Sequence, residues 1–153
     1  MTYRLKYLTG KRLEVFLAAA DVIIPQDVTG AGGGTLATAG VADWSLGRMP
    51  EALRKKFLLL LVVLRFLGLF FGLKFFQNLS DEKKIRVLAW MESAPIGLFR
   101  MGFFGLKNFV CMGYYTREDI WRTIGYVGPV HPDVAFSDPA IRDLCTGETE
   151  VVQ

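Results

Sequence analysis

Apolar residues crowd into one stretch, Phe57–Phe76 (FLLLLVVLRFLGLFFGLKFF), where sixteen of twenty positions are large and apolar. The exceptions are Arg65, Gly68, Gly72 and Lys74. The run is too long for a strand and shows no period of two, so it predicts a helix, about 30 Å long if unbroken. Apolar side chains fall on every side of that helix, which must therefore be covered by a protein core, a bilayer or another chain. Arg65, Gly68 and Gly72 stand at i, i+3 and i+7 on one stripe, and two glycines four apart let a second backbone come close. This stripe reads as a seam gripped by a partner.

Elsewhere the pattern is helical too. Leu13, Phe16, Leu17, Ala20 and Ile24 predict a helix over Gly10–Val22, with Thr9 as N-cap and Pro25 as stop. A Gly/Thr/Ala loop over 26–40 follows, and a second helix covers Val41–Gly47, with Asp43 near its start. Pro50 suits the first turn of the long helix. Ser80 as cap, with Asp81 and Glu82 in the first turn, opens a helix to Ser93. Ile96–Gly113 is a mostly apolar helix and the natural packing partner of the long one. Thr116-Arg-Glu-Asp119 resembles a capping box for a short helix to Ile124, closed by Gly125. Gly128–Gln153 holds three of the six prolines and reads as a tail following a surface. The expected fold is all-α: a compact bundle of five to six helices around a long hydrophobic central helix, with an extended C-terminal tail. Residues 1–129 form the helical domain and 130–153 the tail lying on a partner.

Composition sharpens the need for a partner. In a chain of 153 residues, 52% hydrophobic content and twelve Phe exceed what a small monomer needs to bury. A net charge of +3 without a basic cluster argues against nucleic acid. A bilayer span over Phe57–Phe76 is the competing placement. Each apolar residue would contribute roughly −0.3 to −0.6 kcal/mol to insertion and Arg65 about +2.5 to +3.5 kcal/mol. Basic residues flank both ends, however (Arg54, Lys55 and Lys56; Lys83, Lys84 and Arg86), so no orientation is favoured. Burial against a protein partner is the reading adopted.

Candidate chemistry is sparse. TGAGGGT in the 26–40 loop follows a helix and lacks the Lys-Ser/Thr of a phosphate loop, so a flexible connector is expected. His131, the single histidine, lies in the tail without an orienting partner. Asp21 and Asp27 read as solvated charges at a helix end. Cys111 and Cys145 fit two thiols or one disulfide equally, and Cys111 reads as a core thiol. No nucleophile, base or metal constellation emerges, which points to a subunit of an enzyme in place of a complete one.

One segment is more specific. Gly113-Tyr-Tyr-Thr-Arg-Glu-Asp-Ile-Trp-Arg-Thr-Ile-Gly-Tyr-Val-Gly-Pro129 resembles the closing motif of the gluconate 2-dehydrogenase subunit 3 family. The opening is similar as well: Leu13, Phe16, Ala19 and Ala20, then Asp21-Val-Ile-Ile-Pro25, a Gly/Thr loop, and Ala39-Gly-Val-Ala-Asp43. The resemblance covers Leu13 to Pro129. It implies a non-catalytic small subunit of a membrane-associated dehydrogenase. The implied partner is a large FAD subunit of the glucose–methanol–choline (GMC) oxidoreductase type, often with a cytochrome c or other electron-transfer subunit. No cofactor is expected in this chain; FAD, and iron–sulfur or haem, belong to the partners. Many relatives begin with a twin-arginine export signal, and this N-terminus has none. The expected location is the cytoplasmic side of the inner membrane, in contact with its surface, the alternative being periplasmic export on a signal-bearing partner. Partner contact is expected at Arg65, Gly68 and Gly72 on the long helix and at Tyr114, Tyr115, Trp121, Tyr126 and Pro129. The aromatics bracket a helix too short to stand alone.

Overall fold

The computed structural model describes residues 2–27, 30, 32–130 and 138–153; His131 and the tail segment 131–137 lie outside them, as do Thr29 and Ala31 of the glycine loop. Among the described residues the chain forms seven α-helices and one two-stranded sheet, a mostly helical fold. Strand β1 (Thr2–Arg4) leads into α1 (Gly10–Ile23), with Thr9 at its N-cap position as expected. Helix α2 (Leu36–Arg48) begins five residues before the predicted Val41, because Thr35 caps it by accepting the Thr38 amide at 3.3 Å. The small residues of Leu36–Gly40 carry too little periodicity to announce that turn.

The long helix, α3 (Glu51–Gly72), stops short of Phe76. Leu73 takes a left-handed conformation at φ 54°, and the chain reverses through a 3-10 turn, Phe76–Asn78. The continuous apolar part, from Phe57 to Gly72, is about 24 Å long, less than a hydrocarbon core of about 30 Å. Among the described residues no helix is long and apolar enough to cross a membrane, so the spanning alternative finds no support. Nor does α3 occupy the centre. Phe57, Leu61, Leu64 and Gly68 are buried on one stripe, while Leu59, Phe66 and Phe70 are exposed. A helix with one covered side packs at the edge of a core.

That core joins Leu13, Val15, Phe16 and Ala20 of α1, Ala39, Ala42 and Leu46 of α2, and the α3 stripe. Val87, Leu88 and Met91 of α4 (Asp81–Ser93) and Leu106 and Val110 of α5 (Gly97–Tyr115) complete it. α2 and α5 cross closely at Gly113, where a Cβ would stand 2.4 Å from the Thr38 carbonyl oxygen. Helix α6 (Glu118–Ile124) ends at Gly125, left-handed at φ 72°, as the sequence predicts. Its predicted capping box does not form: the N-cap is Arg117, and the Thr116 hydroxyl donates back to the Met112 carbonyl.

The extended tail is corrected by two elements. Helix α7 (Pro139–Thr146) is capped by Asp138, which accepts the Ala140 amide at 2.8 Å, and closed by Gly147 at φ 79°. Its Ile141, Leu144 and Cys145 are buried against Val41 of α2. Strand β2 (Glu150–Val152) then pairs parallel with β1, Tyr3 opposite Val151. Residues 138–153 therefore close on this chain, because the apolar side of α7 finds a covering surface on α2. Both cysteines are free thiols, and Cys145 lies in this second cluster.

Candidate partner-binding site

The C-terminal end of α5 turns into α6 through Thr116 and Arg117, and that turn is anchored from outside. The Arg117 guanidinium donates to Thr35 Oγ1 at 3.1 Å and pairs with Asp119. With α6 held at its start, Trp121 points back and its indole N–H donates to the Tyr115 carbonyl at 2.6 Å. Past Gly125 the chain folds Tyr126 against Trp121, the rings perpendicular and 5.5 Å apart. Gly128, at φ 105°, lies where a Cβ would touch the Trp121 ring at 3.4 Å. Tyr114 and Tyr115 form a second perpendicular pair at 5.1 Å.

Three of the predicted contact residues thus meet in one ledge, Trp121 and Tyr126 through their rings and Tyr115 through its backbone carbonyl, with half-buried Pro129 just beyond. Tyr115 and Tyr126 are about half exposed, and Val127 and Val130 are almost wholly exposed. Tyr114, paired with Tyr115, is buried, and burial, then Tyr115 and Asp27, hold its phenol above the ordinary tyrosine range. The edge-to-face pairs fix the ring orientations before any partner arrives. A rigid aromatic surface with polar tips is suited to burial at the centre of an interface.

Arg65, Gly68 and Gly72 are taken up by the chain itself. A Cβ on Gly68 would meet the Phe76 backbone nitrogen at 2.4 Å, and one on Gly72 the Leu79 side chain at 2.5 Å. The Arg65 guanidinium stacks 4.2 Å from the Phe75 ring, with its buried Nε making no hydrogen bond. The seam is real, but it grips the 73–79 reversal of the same chain. An all-apolar helix gives no sequence signal for such a return.

A buried acid escaped the sequence reading. Asp43 on α2 is fully buried and accepts four hydrogen bonds: the Tyr3 hydroxyl at 3.0 Å and the amides of Lys6 at 2.9 Å, Tyr7 at 2.7 Å and Leu8 at 2.7 Å. A carboxylate so engaged staples the N-terminal segment to α2. Its signal was an aspartate among small apolar residues, Val41 and Ala42, in the middle of a helix. Burial, then Asp43, pushes the Tyr3 phenol above its usual range.

The glycine loop is likewise structural. The Gly33 amide donates to the Ile24 carbonyl at 2.7 Å, and a Cβ on Gly33 would meet the Ala20 carbonyl oxygen at 2.7 Å. The loop packs on the end of α1 and leaves no cradle at Gly33. Asp21 and Asp27 are both exposed. Among the described residues no three His, Cys, Asp or Glu side chains gather where they could hold a metal. No family model, curated protein or solved structure matches the chain.

Proposed function

We propose that this chain is a non-catalytic accessory subunit that binds and stabilises a larger protein through the ledge of Tyr115, Trp121 and Tyr126 and the segment that continues to Val130. The observation that carries the reading is the preorganised Trp121, bonded to the Tyr115 carbonyl and set edge-to-face with Tyr126, beside exposed Val127 and Val130. The motif resemblance supports the identity of the partner: a large FAD-dependent dehydrogenase of the GMC type, in a membrane-associated complex that includes a cytochrome c or other electron-transfer subunit. The flavin, and iron–sulfur or haem, would then sit in those partners. The complex is proposed for the cytoplasmic side of the inner membrane, the periplasmic face being its alternative.

Point substitutions test this better than truncation, since removing the C-terminal part also strips α7 and β2 from the fold. Trp121→Ala combined with Tyr126→Ala should lower affinity for the co-expressed flavoprotein by several hundred-fold, each buried aromatic anchor contributing roughly 2 kcal/mol. Affinity capture with flavin absorbance as readout measures it. Full stoichiometric recovery of the flavoprotein by the double variant would refute the reading.

A further inference from the structure

A second surface, separate from the aromatic ledge, carries an inference of its own. Leu60 of α3 packs on Gly102 of α5, whose Cβ would stand 2.6 Å from a Leu60 methyl. Nearer the start of α3, the Phe57 ring lies 4.5 Å from Phe109, further along α5. The two helices therefore run antiparallel in contact. On α3 the exposed Leu59, Val63, Phe66 and Phe70 recur at i, i+4, i+7 and i+11, one stripe beside the Leu60 line. On α5 the exposed Leu98 and Met101 lie beside the Gly102 line and Phe104 further round toward Glu92 of α4, opposite buried Leu106 and Val110. Both buried sets face the same core, so both exposed sets look outward on the same side. The result is one continuous apolar face two helices wide.

Its size and chemistry limit what can cover it. With Phe70 88% exposed, Met101 74%, Leu98 73%, Phe104 65% and Leu59 61%, the face presents roughly 700 Å² if a large side chain offers about 150–200 Å². The largest apolar patch of an ordinary monomer is about 300–600 Å². Leu73, 91% exposed, prolongs it from a left-handed position that normally favours glycine.

No donor or acceptor side chain interrupts those seven residues, whereas a protein interface carries about one hydrogen bond per 100–200 Å². The rim is cationic. Lys55 and Lys56 stand at the start of α3, Lys74 follows its end, and Arg100 and Lys107 edge α5. Five cations face two nearby acids, Glu51, which is paired with Lys55, and Glu92 of α4, so the rim stays net positive. Arg100, Lys107 and Glu92 line an open depression of about 460 Å³ together with Met101 and Phe104, where a headgroup can meet cations beside apolar side chains. A basic rim opposes a second copy of the same face and attracts an anionic surface.

We propose that the α3–α5 face docks on an anionic lipid surface, the two helices lying in the membrane plane with Phe70, Leu73, Met101 and Phe104 in the acyl boundary and the basic rim among the headgroups. This goes beyond partner binding at the aromatic ledge and uses different residues.

Co-sedimentation of the full chain with vesicles tests it. Vesicles of equal phosphatidylglycerol and phosphatidylcholine should bind, with pure phosphatidylcholine at least ten-fold weaker and with binding reduced at high salt. Phe70→Ser with Phe104→Ser should lower binding about ten-fold or more, as apolar insertion is lost. Lys55→Gln with Lys56→Gln, which leaves the apolar face intact, should lower it about twenty-fold. Trp121→Ala should bind vesicles like the wild type, which separates this result from the flavoprotein test. The proposal is overturned if anionic vesicles are not bound, or if both pairs of substitutions leave binding unchanged. A dimer in sedimentation velocity that the phenylalanine substitutions dissociate, without vesicle binding, would assign the face to a second copy and overturn it too.

Discussion

Gly68 lies so close to Phe76 that a Cβ would stand 2.4 Å from the Phe76 backbone nitrogen and 2.7 Å from its Cα. That contact lets the chain leave α3 at Leu73 and return along the same helix. It also sends Phe76 fully into the core. Gly68→Ala must push backbone against backbone, and neither side has a rotamer to yield. The isolated chain should lose about 3 kcal/mol in urea unfolding, the upper range for overpacking. Gly72→Ala meets only the flexible ends of Leu79 and Lys83 and should cost clearly less. An unchanged urea midpoint for Gly68→Ala would show that the reversal is not held this way.

Asp43 should be the most costly polar side chain to remove. Asp43→Ala leaves the amides of Lys6, Tyr7 and Leu8 without their acceptor and should destabilise by about 3 kcal/mol or more. Tyr3→Phe removes one of the four donors and should cost about 1 kcal/mol. Its pH dependence follows from the raised Tyr3 phenol. The unfolded tyrosine ionises near its ordinary value of 10.0, while the folded one stays neutral to higher pH. That contribution is therefore complete below pH 10 and is lost as the pH rises above it. Urea midpoints between pH 8 and 11.5 should fall more steeply for the wild type than for Tyr3→Phe. Parallel curves would contradict the assignment.

The two thiols should separate kinetically. Burial pushes the Cys145 thiol up to about 11, outweighing its hydrogen bond to Thr116. Cys145 is buried on the inner side of α7, in the cluster with Val41 of α2, whereas Cys111 is half-buried on α5. At pH 8 a disulfide reagent such as DTNB should label Cys111 first and Cys145 only through opening of the fold, at least ten-fold more slowly. The Cys111→Ser variant should retain only the slow phase, and 6–8 M urea should abolish the difference. A fast phase in Cys111→Ser would mean that the docking of α7 on α2 does not shield Cys145.

By itself the sequence determined the elements whose signals are local. The starts at Thr9 and Ser80, the stop at Gly125 and the helices they bound were legible in position, because breakers and a 3.6-residue period act within a few residues, although neither Thr9 nor Ser80 makes a side-chain cap bond. The aromatic segment from Tyr114 to Tyr126 stood out by composition, but not the Trp121–Tyr115 hydrogen bond that makes a surface of it. Asp138-Pro139 and Gly147 were usable signals for α7, overlooked because they sit in a polar, proline-rich stretch. The rest belonged to tertiary structure. Periodicity cannot say which side of an all-apolar helix is covered, so the exposed face of α3 depended on where α5 lies. The end of α3 was set by a backbone returning onto Gly68, not by any breaker at Leu73. The pairing of Tyr3 with Val151 and the capture of residues 6–8 by Asp43 join segments distant in sequence. Such contacts form only once the intervening helices have brought their ends together, and no local pattern encodes them.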